Sequence, residues 1–197
     1  MRASAVAALP ASLERWEGRC GWLYLDTLGL VTCGVGCKVD DGTPGPALGL
    51  PWMNRDGTRS TLDQVTAAWH VVKAAQAMKS LGGGHFAALT MIRLANDDID
   101  ALVARRWAPM EVALRSGFGK WDEFPAPAQL CLADMAFNMG PAFGFPKFRA
   151  YVNAMDWGCA STECKISNAP HARNDYHVAL LLAARDATDP DVLTLPA

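Results

Sequence analysis

The hydrophobic rhythm of the chain changes near Cys20. Before it, residues 12–19 read S-L-E-R-W-E-G-R, with Ser12 as a candidate N-cap and Leu13, Trp16 and Glu17 at helical spacing. That pattern predicts a helix ending close to Glu17. From Cys20 the run G-W-L-Y-L-D-T-L-G-L-V-T-C-G-V-G-C is rich in aromatic and β-branched residues and punctuated by glycine. It predicts a β-hairpin turning at Thr27 to Gly29, followed by more twisted extended chain. Residues 38–60 then carry Gly42, Pro44, Gly45, Pro46, Gly49, Pro51 and Gly57 with Asn54 and Asp56, which predicts a long turn-rich loop.

Beyond the loop the period becomes helical. Thr61 with Gln64 forms a candidate capping box ahead of Val65, Trp69, Val72 and Gln76, and Gly82-Gly83-Gly84 is the expected stop. Asn96 and Asp97 are candidate caps for a helix bearing Ile99, Leu102, Val103 and Arg106, which Pro109 should bend or restart. Pro127 suits a first helical turn, with Leu130, Asp134, Phe137 and Asn138 following and Gly140 as the stop. Phe148, Val152 and Met155 suggest another helix, and Val178, Leu181, Leu182 and Arg185 a last one.

Helices outnumber strands, and the sheet lies near the start. The expected class is α+β: a small N-terminal lobe with a β-hairpin and a larger helical C-terminal lobe. One domain is expected over residues 1–197, with the first lobe at about 12–80 and the helical lobe at about 85–190; the loop 38–60 is an insertion in the first. The 51% hydrophobic content and 19% charge of these 197 residues suffice to bury a core. A formal net charge of −2 argues against a protein held to nucleic acid by bulk charge, and no apolar run is long enough to span a bilayer. The apolar start contains Arg2 as its one basic residue and is interrupted by Pro10, which favours an N-terminal helix or ordered arm over a secretory signal.

Six cysteines (Cys20, Cys33, Cys37, Cys131, Cys159 and Cys164) are many for a reducing compartment. On a straight strand Cys33 and Cys37 would stand about 13 Å apart, beyond the limit of about 7 Å for a disulfide. Cys159 and Cys164, in a stretch that reads as loop, could close a small ring. Buried thiols are one expectation, and one or two disulfides formed after export the other. His70, His85, His171 and His177 are dispersed, so neither a metal site nor a cofactor is expected.

The segment from Glu17 to Gly36 carries the chemistry. A helix end running straight into a hairpin can set two carboxylates, Glu17 and Asp26, and the hydroxyl of Thr32 around one groove. Glycoside hydrolysis needs one carboxylic acid to protonate the leaving oxygen and one carboxylate to activate water or attack the sugar. Environment separates the roles: Glu17 lies beside Trp16 and close to Trp22, whereas Asp26 sits at a solvated turn. As isolated residues the three read equally well as a surface acid, a turn former and a strand filler.

The surrounding residues add to this. The pattern E-G-x5-Y-L-D-T-x-G-x2-T-x-G-V-G, at Glu17, Gly18, Tyr24, Asp26, Thr27, Gly29, Thr32, Gly34 and Gly36, resembles the catalytic signature of the phage-type lysozymes, glycoside hydrolase family 24. A second block, Leu132 to Gly140 with Gly144 and Phe145, is similar to that family's helix along the far wall of its cleft, and Pro170 to Arg173 is a looser match. The resemblance covers about residues 14–37 closely and 129–150 moderately. It implies Glu17 as general acid, Asp26 as second carboxylate, and Thr32 as holder of the attacking water in an inverting hydrolysis. The implied substrate is the β-1,4 bond between N-acetylmuramic acid and N-acetylglucosamine in peptidoglycan. Phe137 and Asn138 would line the sugar groove, and Trp22 is a candidate sugar platform. Cys37 stands where the family often carries His, and this chain is slightly acidic where many such lysozymes are basic.

The expected partners are therefore peptidoglycan glycan strands, with no nucleic acid and no stable membrane association. The chain would be made in the cytoplasm and act in the periplasm or cell wall, as a phage endolysin or as an injected antibacterial effector with an immunity or inhibitor protein. A lytic transglycosylase and a degenerate, glycan- or partner-binding fold are the alternatives.

Overall fold

The computed structural model describes residues 1–142 and 144–196. The fold is α+β: among the described residues there are eight α-helices, a three-stranded sheet and a two-stranded ribbon. The chain divides into two compact units, one of Glu17–Arg106 and one joining Met1–Trp16 to Trp107–Ala197. This departs from the expected lobe limits, because the N-terminal helix packs with the C-terminal segments and the division falls at Arg106 rather than near residues 80–85.

In the unit Glu17–Arg106, strands β1 (Cys20–Leu25), β2 (Val31–Gly34) and β3 (Cys37–Lys38) form an antiparallel meander. The register pairs Tyr24 with Thr32, Leu25 with Val31 and Cys33 with Cys37, and β1 is bulged between Cys20 and Tyr24. Residues 38–60 hold more regular structure than the turn-rich loop expected. They hold helix α2 (Gly45–Leu48) and strand β4 (Met53–Asn54), which pairs with β5 (Ile92–Arg93). Trp52 is fully buried there, its indole N–H donating to the Ala47 carbonyl at 2.8 Å, so an apolar anchor fixes the turn-rich stretch. Helix α3 (Leu62–Ala74) begins with the expected capping box of Thr61 and Gln64, but it ends at Ala74, and a 3-10 turn (Gln76–Met78) follows well before the glycine triplet. Helix α4 (Asn96–Gly117) packs its first turns on β2: Ile99 and Leu102 methyls lie 3.4 and 3.5 Å from where Gly34 would carry a Cβ. That contact places residues 96–106 in this unit.

The second unit starts with α1 (Ala3–Glu17), which begins well before Ser12 and runs through Pro10. Ser12 is therefore internal to the helix rather than its cap, buried, and accepts the Tyr176 hydroxyl at 3.1 Å. Ala5, Leu9 and Leu13 bury one face of α1, and Arg2 ties its start to Gln129 and to the Phe124 carbonyl. Burial of such a face outweighs the amide that Pro10 cannot donate. Pro109 is likewise carried inside α4, which does not restart as a new element there. Helices α5 (Ala126–Met139), α6 (Pro146–Asn153), α7 (Trp157–Thr162) and α8 (His171–Asp186) complete the unit. Helix α5 is buried from Ala126 to Phe137 and stops at Gly140, whose φ of 85° only glycine adopts freely. Helix α7 occupies the stretch around Cys159 that reads as loop in the sequence.

Asp134 of α5 is fully buried. Its Oδ1 accepts from Arg173 Nε at 2.8 Å and lies 2.7 Å from His177 Nε2, both on α8. A buried carboxylate shared by two basic groups is stable only as a set, since removing one member strands the others.

Candidate active site

Glu17 is the last residue of α1, and Gly18, with a φ of 69°, turns the chain into β1. Its carboxylate lies over the β2–β3 turn, Gly34-Val35-Gly36. Both glycines there have positive φ, 62° and 59°. A Cβ on Gly36 would stand 2.9 Å from Glu17 Oε2 and 3.2 Å from its Cδ, so any side chain there would push the Glu17 carboxylate out of its place. The Arg106 guanidinium donates to the Gly36 carbonyl and also lies beside the Cys37 thiol. Burial pushes the Cys37 thiol up, Arg106 draws it part of the way back, and the net shift is upward. Burial also raises the Tyr24 phenol, and the negative charge of Glu17 adds to that, which places Tyr24 and Glu17 in one electrostatic neighbourhood.

Asp26 caps the hairpin. Its Oδ1 accepts the amides of Leu28 and Leu30, each at 2.9 Å, while the Gly29 amide donates to its carbonyl at 3.0 Å. Both side-chain bonds use Oδ1, so Oδ2 of this partly exposed residue has no hydrogen-bond partner among the described residues. Side chains two apart on a strand share a face, and directly paired residues share it too. The register therefore sets Tyr24, Asp26 and Thr32 on one side of the hairpin, with Thr32 diagonal to Asp26. Thr32 is only 3% exposed, and its hydroxyl donates to the Leu30 carbonyl at 3.2 Å.

Trp22 is held at its indole N–H by the Gly83 carbonyl at 2.8 Å and is covered on one face by the Arg93 guanidinium, 5.5 Å from the ring centroid. Phe137 and Asn138 belong to the other unit. Asn138 is exposed at the end of α5, but Phe137, expected to present its ring to a sugar, is 3% exposed and packs as a core side chain. An amphipathic helix ordinarily buries such a ring.

The thiols also differ from expectation. Cys33 and Cys37 are cross-strand partners in β2 and β3, a relationship that brings Cα atoms to about 5.5 Å where a straight strand would hold them far apart. All six cysteines are free, and Cys159 alone of them is exposed.

Three residues of consequence carry no signal in the sequence. Asp40 is buried. Its Oδ2 accepts the Val31 amide and the Lys73 ammonium, at 2.9 and 2.7 Å, and its Oδ1 accepts the Gly42 amide. Lys73 and Gln76, at the end of α3 and just beyond, both reach the Gly29 carbonyl, at 3.1 and 3.2 Å. A lysine in the last turn of a helix ordinarily reads as solvated charge.

No protein-family model matches the chain, and no curated protein is significantly similar to it. In chemical terms the arrangement offers one carboxylate seated on a glycine turn and a second with an open oxygen on the adjoining hairpin. Such a pair can give a proton and take one.

Proposed function

We propose that this chain is a peptidoglycan muramidase with a lysozyme-like fold, hydrolysing the β-1,4 bond between N-acetylmuramic acid and N-acetylglucosamine. Glu17 is the general acid that protonates the leaving oxygen. Asp26, through Oδ2, is the carboxylate that orients and deprotonates the attacking water, as inversion requires. Thr32 supports the strand beneath Asp26, and Asn138 and Trp22 are candidate glycan contacts. The observation that carries the reading is the seat of Glu17 on Gly36 in the β2–β3 turn of the meander whose β1–β2 turn carries Asp26, because it gives a physical reason for Gly36 in the lysozyme-like pattern. No bound metal or cofactor enters this chemistry. The setting that fits is action on the wall after delivery from the cytoplasm, by a phage pore or an injection apparatus, with an exported inhibitor as partner in the second case.

The test is digestion of purified cell walls. Wild type should release reducing ends and Glu17→Gln should release none. An active Glu17→Gln variant overturns the assignment of the acid.

The burial of Thr32 favours a second reading, in which the bond is broken without water by a lytic transglycosylase. Mass spectrometry of the products separates the two: anhydromuramyl ends count for the transglycosylase and free reducing muramic acid for the hydrolase.

A further inference from the structure

We propose that Lys73 and Gln76 are positioning residues for the Asp26 turn, clamping it through a single backbone oxygen, with Asp40 as their anchor. This rests on the reading of Asp26 as the second carboxylate.

The turn that carries Asp26 is built around Gly29. The amide of Gly29 donates to the Asp26 carbonyl at 3.0 Å, and the amides on either side of it, Leu28 and Leu30, donate to Asp26 Oδ1. Whatever fixes Gly29 therefore fixes the carboxylate. Its carbonyl takes two donors from outside the hairpin, Lys73 Nζ at 3.1 Å and Gln76 Nε2 at 3.2 Å. Gln76 Nε2 also donates to the Lys73 carbonyl at 2.9 Å, so the two donors are linked to each other. The other side of the Gly29 α-carbon, with a φ of 77°, faces Gln76 Oε1 so closely that a Cβ there would collide with it.

Lys73 is in turn held by Asp40 Oδ2 at 2.7 Å, and the same oxygen accepts the amide of Val31, the first residue of β2, at 2.9 Å. The chain leaving the turn and the cation gripping the turn thus share one buried carboxylate. The tip needs such a device. Thr27 and Leu28 are exposed, Leu28 to 78%, and a hairpin end held by its own ladder alone frays readily. A catalytic group displaced by about 1 Å can lose about a hundredfold in rate. The clamp turns a mobile tip into a fixed one without touching substrate.

The experiment uses the full chain and three variants, Lys73→Met, Lys73→Arg and Gln76→Ala, with two readouts. The first is amide hydrogen exchange at Leu28 and Leu30. It should quicken about tenfold or more in Lys73→Met, less in Gln76→Ala, and return towards wild type in Lys73→Arg, which restores a cationic donor. The second is hydrolysis of soluble glycan fragments, where kcat should fall about tenfold or more in Lys73→Met with KM little changed. Unchanged exchange at both amides in Lys73→Met and Gln76→Ala overturns the clamp, as does an unchanged kcat in an active enzyme. If Lys73→Met does not fold, Gln76→Ala carries the same two readouts. A wild-type chain that cuts no glycan, yet shows the quickened exchange in its variants, defeats the muramidase reading and leaves the clamp standing. An active wild type with indifferent variants does the reverse.

Discussion

Gly36 lets the Glu17 carboxylate sit where a Cβ would otherwise press on it and displace it. Two constraints meet at Gly36, a left-handed backbone and a carboxylate 2.9 Å from any Cβ. Gly36→Ala should therefore act on Glu17 rather than only on the turn. The expected loss is about a hundredfold in wall digestion, with a drop of about 1–2 kcal/mol in stability from the backbone alone. Activity assays and urea denaturation check both. A fully active Gly36→Ala enzyme would contradict the crowding.

Asp40 makes stability depend on pH in a defined direction. Burial raises its carboxyl, but the Lys73 ammonium and the amides of Val31 and Gly42 more than offset that, and the folded value lies below the ordinary 3.8. A depressed folded value means that the ionised form stabilises the fold. The contribution is complete above the unfolded value and disappears as pH falls through the folded one. Asp40→Asn should lose about 2 kcal/mol at neutral pH, and its gap from wild type should close in acid as pH falls through the folded value, so its acid limb is flatter than that of wild type. Denaturation midpoints measured at both pH values decide it.

The thiols should divide five to one. Cys159 is exposed, whereas the other five are buried, and burial pushes Cys164 up to about 11. A thiol-reactive chromophore should consume one equivalent in the native protein and six in denaturant. The native reaction should be slower than with a free thiol, because the Asp156 side chain beside Cys159 raises it as well. A second fast native equivalent would mean that one of the buried five is accessible.

Asp134 holds α5 to α8 through Arg173 and His177. Asp134→Ala removes the acceptor that both share and takes the carboxylate from beside the buried Arg173 guanidinium, which should cost about 3–5 kcal/mol. The measurement is the urea midpoint. Asp134→Asn, which keeps one acceptor oxygen, should lose less.

Local features were the legible part of this chain. The hairpin turn at Thr27 to Gly29, the capping box of Thr61 and Gln64, and the glycine stop of α5 each follow from chemistry within a few residues, and each is present. Pro109 does not restart the chain, because the penalty for a helical proline is local while Trp107 and Leu114 on either side of it are buried. Residues 38–60 read as loop because their turn residues are conspicuous and the anchoring Trp52 is not. At the candidate site the acids and glycines could be named in advance. Asp40, Lys73 and Arg106 could not, because their roles depend on partners 33, 44 and 70 residues away.

The composition of the unit joining Met1–Trp16 to Trp107–Ala197 dictates an order of events on the ribosome. The contiguous unit Glu17–Arg106, with its hairpin and clamp, has all its residues as soon as Arg106 has left the exit tunnel. Helix α1 must wait for α5 and α8 before Arg2 meets Gln129 and Ser12 meets Tyr176. The newborn chain therefore carries the apolar face of Ala5, Leu9 and Leu13 without the rest of its unit through most of its synthesis.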